Sequence, residues 1–584
     1  MSIQSNQRET REPQYKKSPV EPIHEFRHLD PSKPIELPET ASNRKCTDVS
    51  FLLVFQMFQI VFIISSVYIA CVSDLRIGTL GTDGCKNTCG MKNVVKYNKT
   101  CPLEDYTYAP FELKSEKKCV SYDECRMRNM TIVNFECLKS HNLTKSENDY
   151  LMSQISSEKM LLKTIIIFVI TPIIASVLSI LVFASFRKKT FATFYFFAIL
   201  STIIFLFITP ALWYAIYYLT FTENYRTSSL WYLYIIAVIC TVVTISLPII
   251  FFWRRRKTKI LIQLYREATP AIFKSHYMLV APLLATLVIE ILAIIGILMY
   301  LYAQSVKIPQ NSSFPIERTF YVGFMCFMAY WIFTFSIGCQ NMMTAGAIAS
   351  YYFSRDKNSL KNQYLKYAKI VVRYHLGTIA GGSLIITVLS VVKFLINQLR
   401  DHSCGDAILD CFCECMEEFL HYISVKAYIM TAIHGRNFLK SGKRAVRMMW
   451  IHFLDLIQVD GFNAVAMFSA GVIIVLICLF ISCAIIKEEH VSFLLVTFIG
   501  TLVVAGVTLY FFFSLISISI ATVFLCYCED RHMHDGTDQP YFMSPQLEAA
   551  VNEALEFAAA RRAAKGLQRE QNTRQIAQNS PQNI

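Results

Sequence analysis

The composition of the chain points to a membrane. Of its 584 residues, 54% are hydrophobic and 17% are charged, whereas soluble proteins carry about 25% charged residues. A soluble globular protein is therefore excluded. The formal charge of +13 does not indicate nucleic-acid binding, because the basic residues lie in short segments beside apolar runs, as topology signals do.

Apolar runs that are long enough to cross a bilayer follow one another along the chain. A helix needs about 20 such residues for a hydrocarbon core of roughly 30 Å. The runs lie near residues 51–72, 164–185, 191–221, 229–253, 276–303, 319–350, 369–398, 464–486 and 491–528. With one further span within 409–434, they predict an all-α polytopic membrane protein of about ten transmembrane helices.

The stretch 409–434 is poor membrane material. It contains four acidic residues and Lys426. Such residues are tolerated in a span that faces a bundle interior or water. The alternative is an amphipathic helix on the inner surface, beside a re-entrant seventh segment. Whether residues 399–434 cross the membrane stays open at this point.

These runs divide the chain into five parts. Residues 1–47 are polar and Pro-rich and are expected to form a disordered cytoplasmic tail. The other parts are the first transmembrane helix at 48–72, an extracellular loop domain at 73–160, a transmembrane core at 161–530 and a cytoplasmic tail at 531–584.

Two signals predict the orientation. Basic clusters at Arg187-Lys188-Lys189, at 254–257 and at 355–357 belong in the cytoplasm. Glycosylation sequons belong on the opposite side. The four sequons are at Asn98, Asn129, Asn142 and Asn311. Both termini are therefore predicted to be cytoplasmic, and the loop at 73–160 is predicted to be a glycosylated extracellular domain.

The same loop is rich in cysteine. Its six cysteines are Cys85, Cys89, Cys101, Cys119, Cys125 and Cys137. An even number in an oxidising compartment predicts up to three disulfides, with 15 pairings left open. A zinc site is the alternative, but no paired CxxC is present, so no metal is expected. Crosslinks would then substitute for a large core.

Several polar residues lie inside or beside apolar runs. An unpartnered carboxamide is costly in hydrocarbon, so Gln340 and Asn341 either bond neighbouring helices or line a polar pathway. Glu290 is an isolated acid that either takes part in function or is a packed, protonated carboxyl. Tyr374 and His375 are expected near the inner end of their span, as interface anchors or as part of an inner gate.

Common catalytic signatures are absent from the sequence. It has no nucleotide-binding loop, HExxH helix, GxSxG elbow or kinase signature, each of which carries a defined chemistry. The chain is therefore not predicted to be an enzyme, and no cofactor is expected.

Five ordered stretches resemble the choline transporter-like family of solute carriers. They are Arg44-Lys-Cys-Thr-Asp-Val49, CQNMMTAGAIASYYFSRDK, RYHLGTIAGGSLII, AYIMTAIHGRNFLKSGKRAV, and FFSLISISIATVFLCYCEDRHMHDG with PYFMS. The resemblance extends from Arg44 to Ser544. It implies about ten spans, a glycosylated first outer loop and cytoplasmic termini. It also implies plasma-membrane transport of choline, with ethanolamine as a further candidate substrate, for phospholipid synthesis.

The chain departs from this family in its last span. Ser517 and Ala521 stand where the family usually carries a Glu and an Asp. A quaternary ammonium needs aromatic faces or a carboxylate, so either Glu290 or aromatic rings compensate, or the substrate and its proton coupling differ. Ser517 thereby joins the substrate-pathway candidates Gln340, Asn341, Glu290, Tyr374 and His375.

Two other functions are compatible with the same sequence. One is a non-transporting scaffold or receptor-like protein of the same fold, and the other is a channel. The expected partners are a small organic cation and membrane lipid, with no nucleic acid. The sequence does not predict the oligomeric state.

Overall fold

The fold is described from a computed structural model. It describes residues 44–553 except 74–79, 86, 94–101, 103, 114–115, 129, 134–135, 140–144, 222–230, 254, 306–313, 358–359, 361, 399–405, 487–490 and 535–540. The four predicted glycosylation sites, Cys101 and the two terminal tails outside 44–553 lie beyond the described residues.

The described chain is dominated by helices. Those before the core are α1 (Val49–Val72) and the short α2 (Tyr122–Met127). Those of the core are α3 (Lys145–Phe221), α4 (Trp231–Trp253), α5 (Arg255–Lys274), α6 (His276–Gln304), α7 (Phe314–Tyr352), α8 (Gln363–Ile370), α9 (Leu376–Gln398), α10 (Asp406–His434), α11 (Phe438–Ile486) and α12 (Val491–Met533). A π-helical turn, Val371–His375, joins α8 to α9.

Seven of the described helices are long and apolar enough to cross a membrane. One of them, Leu162–Thr220, has 59 residues, which is far more than the roughly 20 that one span needs. A shorter apolar helix lies at Leu233–Ile249. The prediction of an all-α multi-pass membrane protein is confirmed, whereas the number ten stays a prediction.

The long helix α3 bends at a single residue. Lys189 has φ −137° and ψ 57°, outside the helical region, and apolar arms extend on both sides. The sequence predicted two spans joined by a basic loop here. The loop is instead one non-helical residue inside a basic cluster, and α3 begins at Lys145, within the stretch assigned to the extracellular domain.

Helix α10 runs antiparallel along α9, although its charges exclude it from the seven apolar helices. Tyr428 donates to the carbonyl of Ile379, and Glu417 near the other end pairs with Lys393 at 3.1 Å. Lys426 pairs with Asp460 of α11 at 3.0 Å. These charges therefore have partners on neighbouring helices, as charged residues inside a bundle require.

The loop at 73–160, which is predicted to be extracellular, contains a small sheet. Its strands are β1 (Phe111–Leu113), β2 (Lys118–Val120), β3 (Met130–Val133) and β4 (Glu136–Lys139), in the order β2-β1-β4-β3. The prediction of disulfides is confirmed: Cys89 bonds Cys119 and Cys125 bonds Cys137, and Cys85 is also disulfide-bonded. Strands this short bury few side chains, so the crosslinks hold the unit together.

An amphipathic helix, α5, follows the fourth apolar run and was not predicted. Its fully buried side chains Leu261, Leu264, Tyr265 and Ile272 recur at helical spacing, which gives one apolar face. They join the main hydrophobic core, which also contains Phe183 of α3 and many residues of α7, α10, α11 and α12. The candidate site lies inside this core.

Candidate functional site

The two carboxamides of α7 are buried against α12. Gln340 and Asn341 are 4% and 3% exposed. The side-chain amide of Gln340 donates to the carbonyl of Phe511 at 2.8 Å. The carbonyl oxygen of Asn341 accepts from the hydroxyl of Ser514 at 2.8 Å. Both side chains therefore bond across helices, and the helices touch at a polar contact within hydrocarbon.

One turn further along α12, Ser517 continues this contact to α11 and α5. Its hydroxyl accepts from the side-chain amide of Asn463 at 2.7 Å. The carbonyl oxygen of Asn463 in turn accepts from the hydroxyl of Tyr265 at 2.5 Å. Because Ser514 and Ser517 are three residues apart, they share one face of α12. We call the set Gln340, Asn341, Ser514, Ser517 and Asn463 the polar band.

Two buried side-chain oxygen atoms in and near the polar band have no hydrogen-bond partner among the residues that the structure describes. Gln340 Oε1 and Thr344 Oγ1, one turn apart on α7, are buried without a hydrogen-bond partner in the described part of the chain. Nearly all buried polar atoms in proteins have a partner. Such atoms mark places where a water or a ligand completes the bonding.

Glu290 belongs to the same depth of the bundle. Helices α6 and α7 are antiparallel, because Met278 lies by Ala347 at one end and Ala303 packs with Tyr321 at the other. Glu290 lies about 21 Å along α6, and Gln340 lies about 18 Å from the end of α7, at 1.5 Å per residue. Glu290 Oε1 is likewise buried without a partner among the described residues.

The aromatic Tyr428 of α10 packs against the same turn of α7 as Gln340, on the face that carries Gly338. It is fully buried, and its ring lies 3.4 Å from a Cβ built on Gly338, two residues before Gln340. A Cβ on Gly382 of α9 would overlap the same Tyr428 side chain. Gly338 and Gly382 are thus small because a tyrosine fills the space beside them, in keeping with close packing of helices through small residues.

His375 lies apart from the polar band, at the end of the bundle that carries Arg44, His434 and Arg444, which we call the basic end. Its Nε2 accepts from Nη1 of Arg44 at 3.1 Å, and Arg is a donor only. The proton of the neutral ring is therefore on Nδ1, which donates to the hydroxyl of Thr47 at 3.0 Å. Arg44 Nη2 also donates to the carbonyl of Ala432 at 2.7 Å. Tyr374 contributes its main-chain carbonyl, which accepts from the amide of Thr47 at 3.0 Å.

Asp48 completes the contacts that hold this N-terminal segment, residues 44–48, against the bundle. Its carboxylate accepts from the hydroxyl of Thr378 at 2.7 Å and from the amide of Phe438 at 2.8 Å. A side chain on Gly377 would overlap the carbonyls of Thr47 and Asp48. The segment therefore joins α9, α10 and α11 and needs a glycine at its closest approach.

Two consecutive acids close the same end of the bundle. Glu529 is fully buried and accepts two bonds of 2.6 Å from Arg444 and one of 3.2 Å from His434. Asp530 is equally buried. It accepts from the hydroxyl of Tyr352 at 3.1 Å and from the amide of Phe542 at 2.8 Å. The bond from Phe542 holds the segment that follows α12 against the bundle.

The predicted pathway residues thus fall into two groups. Gln340, Asn341 and Ser517 share the polar band, and Glu290 lies at similar depth on α6. Tyr374 and His375 belong to the closed basic end. Sequence reasoning missed Asn463, and the only available signal was a lone carboxamide at the start of the apolar run 464–486. It also missed the pairs Arg444–Glu529 and Lys426–Asp460, which join residues distant in the chain.

A family model described as a plasma-membrane choline transporter matches residues 238–532. This segment is just over half of the chain, and it contains the polar band and both acids of the basic end. The chain belongs to the choline transporter-like family. The earlier resemblance to this family is therefore confirmed.

Relatives in the choline transporter-like family are distant. Choline transporter-like protein 2 of Dictyostelium discoideum is 30% identical over 243 residues, 38% of this chain and 37% of the relative. Choline transporter-like 2 of Anopheles gambiae is 31% identical over 238 residues, 38% and 30%. Choline transporter-like protein 3 of Bos taurus is 26% identical over 404 residues, 64% and 61%. The matches thus span about a third to three-fifths of these relatives.

Proposed function

We propose that this member of the choline transporter-like family carries choline, or a closely related small organic cation, across the plasma membrane and so supplies phospholipid synthesis. The observation that carries the proposal is the unpaired acceptor at Gln340 Oε1, buried in the polar band where α7 meets α12. Leaving such an atom unmet costs about 1–3 kcal/mol, so a partner from outside the protein stabilises it.

The chemistry of choline suits this location. Its hydroxyl is a donor that Gln340 Oε1 can accept. Its trimethylammonium group has no N–H and is stabilised by aromatic faces, and Tyr428 brings an aromatic ring to the same turn of α7, at Gly338. Ser517 and Ala521 stand where the family usually carries two acids, so we assign the balance of charge to Glu290 of α6, whose Oε1 has no partner among the described residues.

The basic end would act as the inner gate. The segment 44–48 and the Glu529–Arg444 pair join α9, α10, α11 and α12 there. A substrate at the polar band reaches the predicted cytoplasmic side only when these contacts open. The proposed cycle therefore alternates between this closed end and an open one, as in carriers whose site lies near the bilayer midplane.

Uptake into vesicles tests the proposal. Purified protein in liposomes should accumulate radiolabelled choline saturably, and empty liposomes should not. Unlabelled ethanolamine should compete less well than unlabelled choline, because its primary ammonium brings three N–H donors that a band with few free acceptors cannot satisfy. Absence of both uptake and competition would leave a scaffold or receptor-like role, and currents above carrier turnover would indicate a channel.

A further inference from the structure

A basic cleft opens at the break in α3. It has a volume of about 470 Å³ and is lined by Arg187, Lys188, Lys189 and Arg266. All four side chains are exposed, and none has a carboxylate within 4.0 Å among the described residues. The cleft therefore concentrates positive charge without an internal counter-ion.

An apolar groove continues from this cleft along the bundle surface. Its volume is about 530 Å³, and Lys189 and Ala192 line both the groove and the cleft. Further along, Leu181 and Phe196 of α3 face Ile473 and Ile477 of α11. The groove is as large as typical ligand sites, roughly 300–1,000 Å³, and it lies between two helices that are apolar enough to cross the membrane.

The break itself creates both features. At Lys189 the helix stops and restarts, so the first turn of the second arm, which begins at Thr190, presents main-chain N–H groups at the cleft. Such groups favour anions. Thr193 donates across the break to the carbonyl of Ser185 at 3.1 Å, which fixes the angle between the two arms. The concave surface is thus built into the fold.

We propose that this cleft and groove bind one anionic phospholipid of the cytoplasmic leaflet. The four basic side chains and the first turn of the second arm hold the phosphate and the anionic headgroup. An acyl chain occupies the groove between α3 and α11. Charge complementarity and the continuity of the cleft with the groove favour this occupant, because a soluble anion leaves the groove empty and a neutral lipid leaves the cations unmatched. Anionic lipids are concentrated in that leaflet, where the cluster Arg187–Lys189 is predicted to lie.

Native mass spectrometry of the purified full-length protein tests the site. The probes are phosphatidylserine and phosphatidylcholine with identical acyl chains. The wild type should retain phosphatidylserine in preference to phosphatidylcholine. The triple variant Arg187→Gln/Lys189→Gln/Arg266→Gln should lower phosphatidylserine affinity by roughly tenfold or more, as expected for the loss of three cations at a lipid surface. Its phosphatidylcholine binding should stay unchanged.

A matched variant removes the same charge elsewhere. Lys440→Gln/Lys443→Gln/Arg447→Gln changes three exposed residues of α11 outside the cleft and should shift phosphatidylserine affinity less than twofold. Ile477→Trp, which fills the groove, should weaken both lipids. Equal losses in the two triple variants would overturn the proposal. Competition by glycerophosphoserine, which lacks acyl chains, at the same concentration as phosphatidylserine would also overturn it, since the site would then take a free anion.

Discussion

The two polar clusters of the bundle are built from different chemistry. At the basic end, charged groups are paired: Glu529 accepts three hydrogen bonds, and Asp48 accepts two. The polar band is neutral and keeps an unmet acceptor at Gln340. A buried carboxylate without partners is far more costly than a buried amide. The first cluster is therefore suited to holding helices together, and the second to exchanging partners.

The largest effect should follow from breaking the buried ion pair. Arg444→Leu leaves the Glu529 carboxylate, fully buried, without its main partner, which should lower the free energy of unfolding by about 3–5 kcal/mol. Detergent-solubilised protein should then melt at a much lower temperature or fail to fold. Lys443→Leu, at the exposed neighbouring position, should have little effect. Arg444→Leu/Glu529→Leu should recover stability, since removing both charges removes the penalty.

A smaller effect is expected where the N-terminal segment meets α9. Gly377→Ala adds a Cβ that overlaps the Asp48 carbonyl, and overpacking of this kind costs about 1–3 kcal/mol. The displaced segment should expose Arg44, which is 5% exposed, so trypsin should cleave there faster. Gly442→Ala is the control, because its nearest neighbour would be 3.8 Å away. Equal cleavage of both variants would contradict the inference that the N-terminal segment needs a glycine at position 377.

Gln340→Leu should separate transport from stability. It removes the acceptor proposed for the substrate hydroxyl and should lower choline uptake roughly tenfold, the equivalent of one good hydrogen bond. The melting temperature should change little, because the replacement fills similar space. Ser336→Ala, which loses only a bond to the carbonyl of Ile332 within its own helix, should keep full uptake. Parallel loss of uptake and stability would assign Gln340 to packing alone.

Ser517→Ala should have the smallest effect. It leaves the side-chain amide of Asn463 without its acceptor and should lower uptake about threefold through a looser polar band. Ser519→Ala, two residues away, loses only a bond to the carbonyl of Leu515 and should not change uptake. If the two variants behave alike, the bond between α11 and α12 does not position the band.

The sequence predicts the spans well because hydropathy is a local property. It predicts α10 poorly because Lys426 and its partner Asp460 are 34 residues apart in the chain. No local sequence pattern indicates that these two charges form a pair. It places the connection at Arg187–Lys189 correctly but not its form, since a single non-helical residue and a short loop have the same composition. The strands of the loop at 73–160 have three or four residues each, which is too short for a clear alternation.

The candidate site was predictable in its residue types but not in its grouping. Gln340 and Asn341 stand out because carboxamides are rare in such a run. Their partners Phe511 and Ser514 lie more than 170 residues away in the chain, and Phe511 contributes only a main-chain carbonyl, which every residue has. His375 is unusual in sequence for the same reason as Gln340, yet Arg44 places it in the other cluster.

The π-helical turn Val371–His375 sets the rotational phase of α9. A π turn closes its hydrogen bonds one residue later than an α turn, so removing one residue there would rotate α9 by about 100° relative to α8. Deleting Val372, for example, would carry Gly377 and Thr378 away from the N-terminal segment without removing any side chain that contacts it. A one-residue deletion in this turn would therefore unseat residues 44–48, even though the apolar pattern of α9 would be preserved.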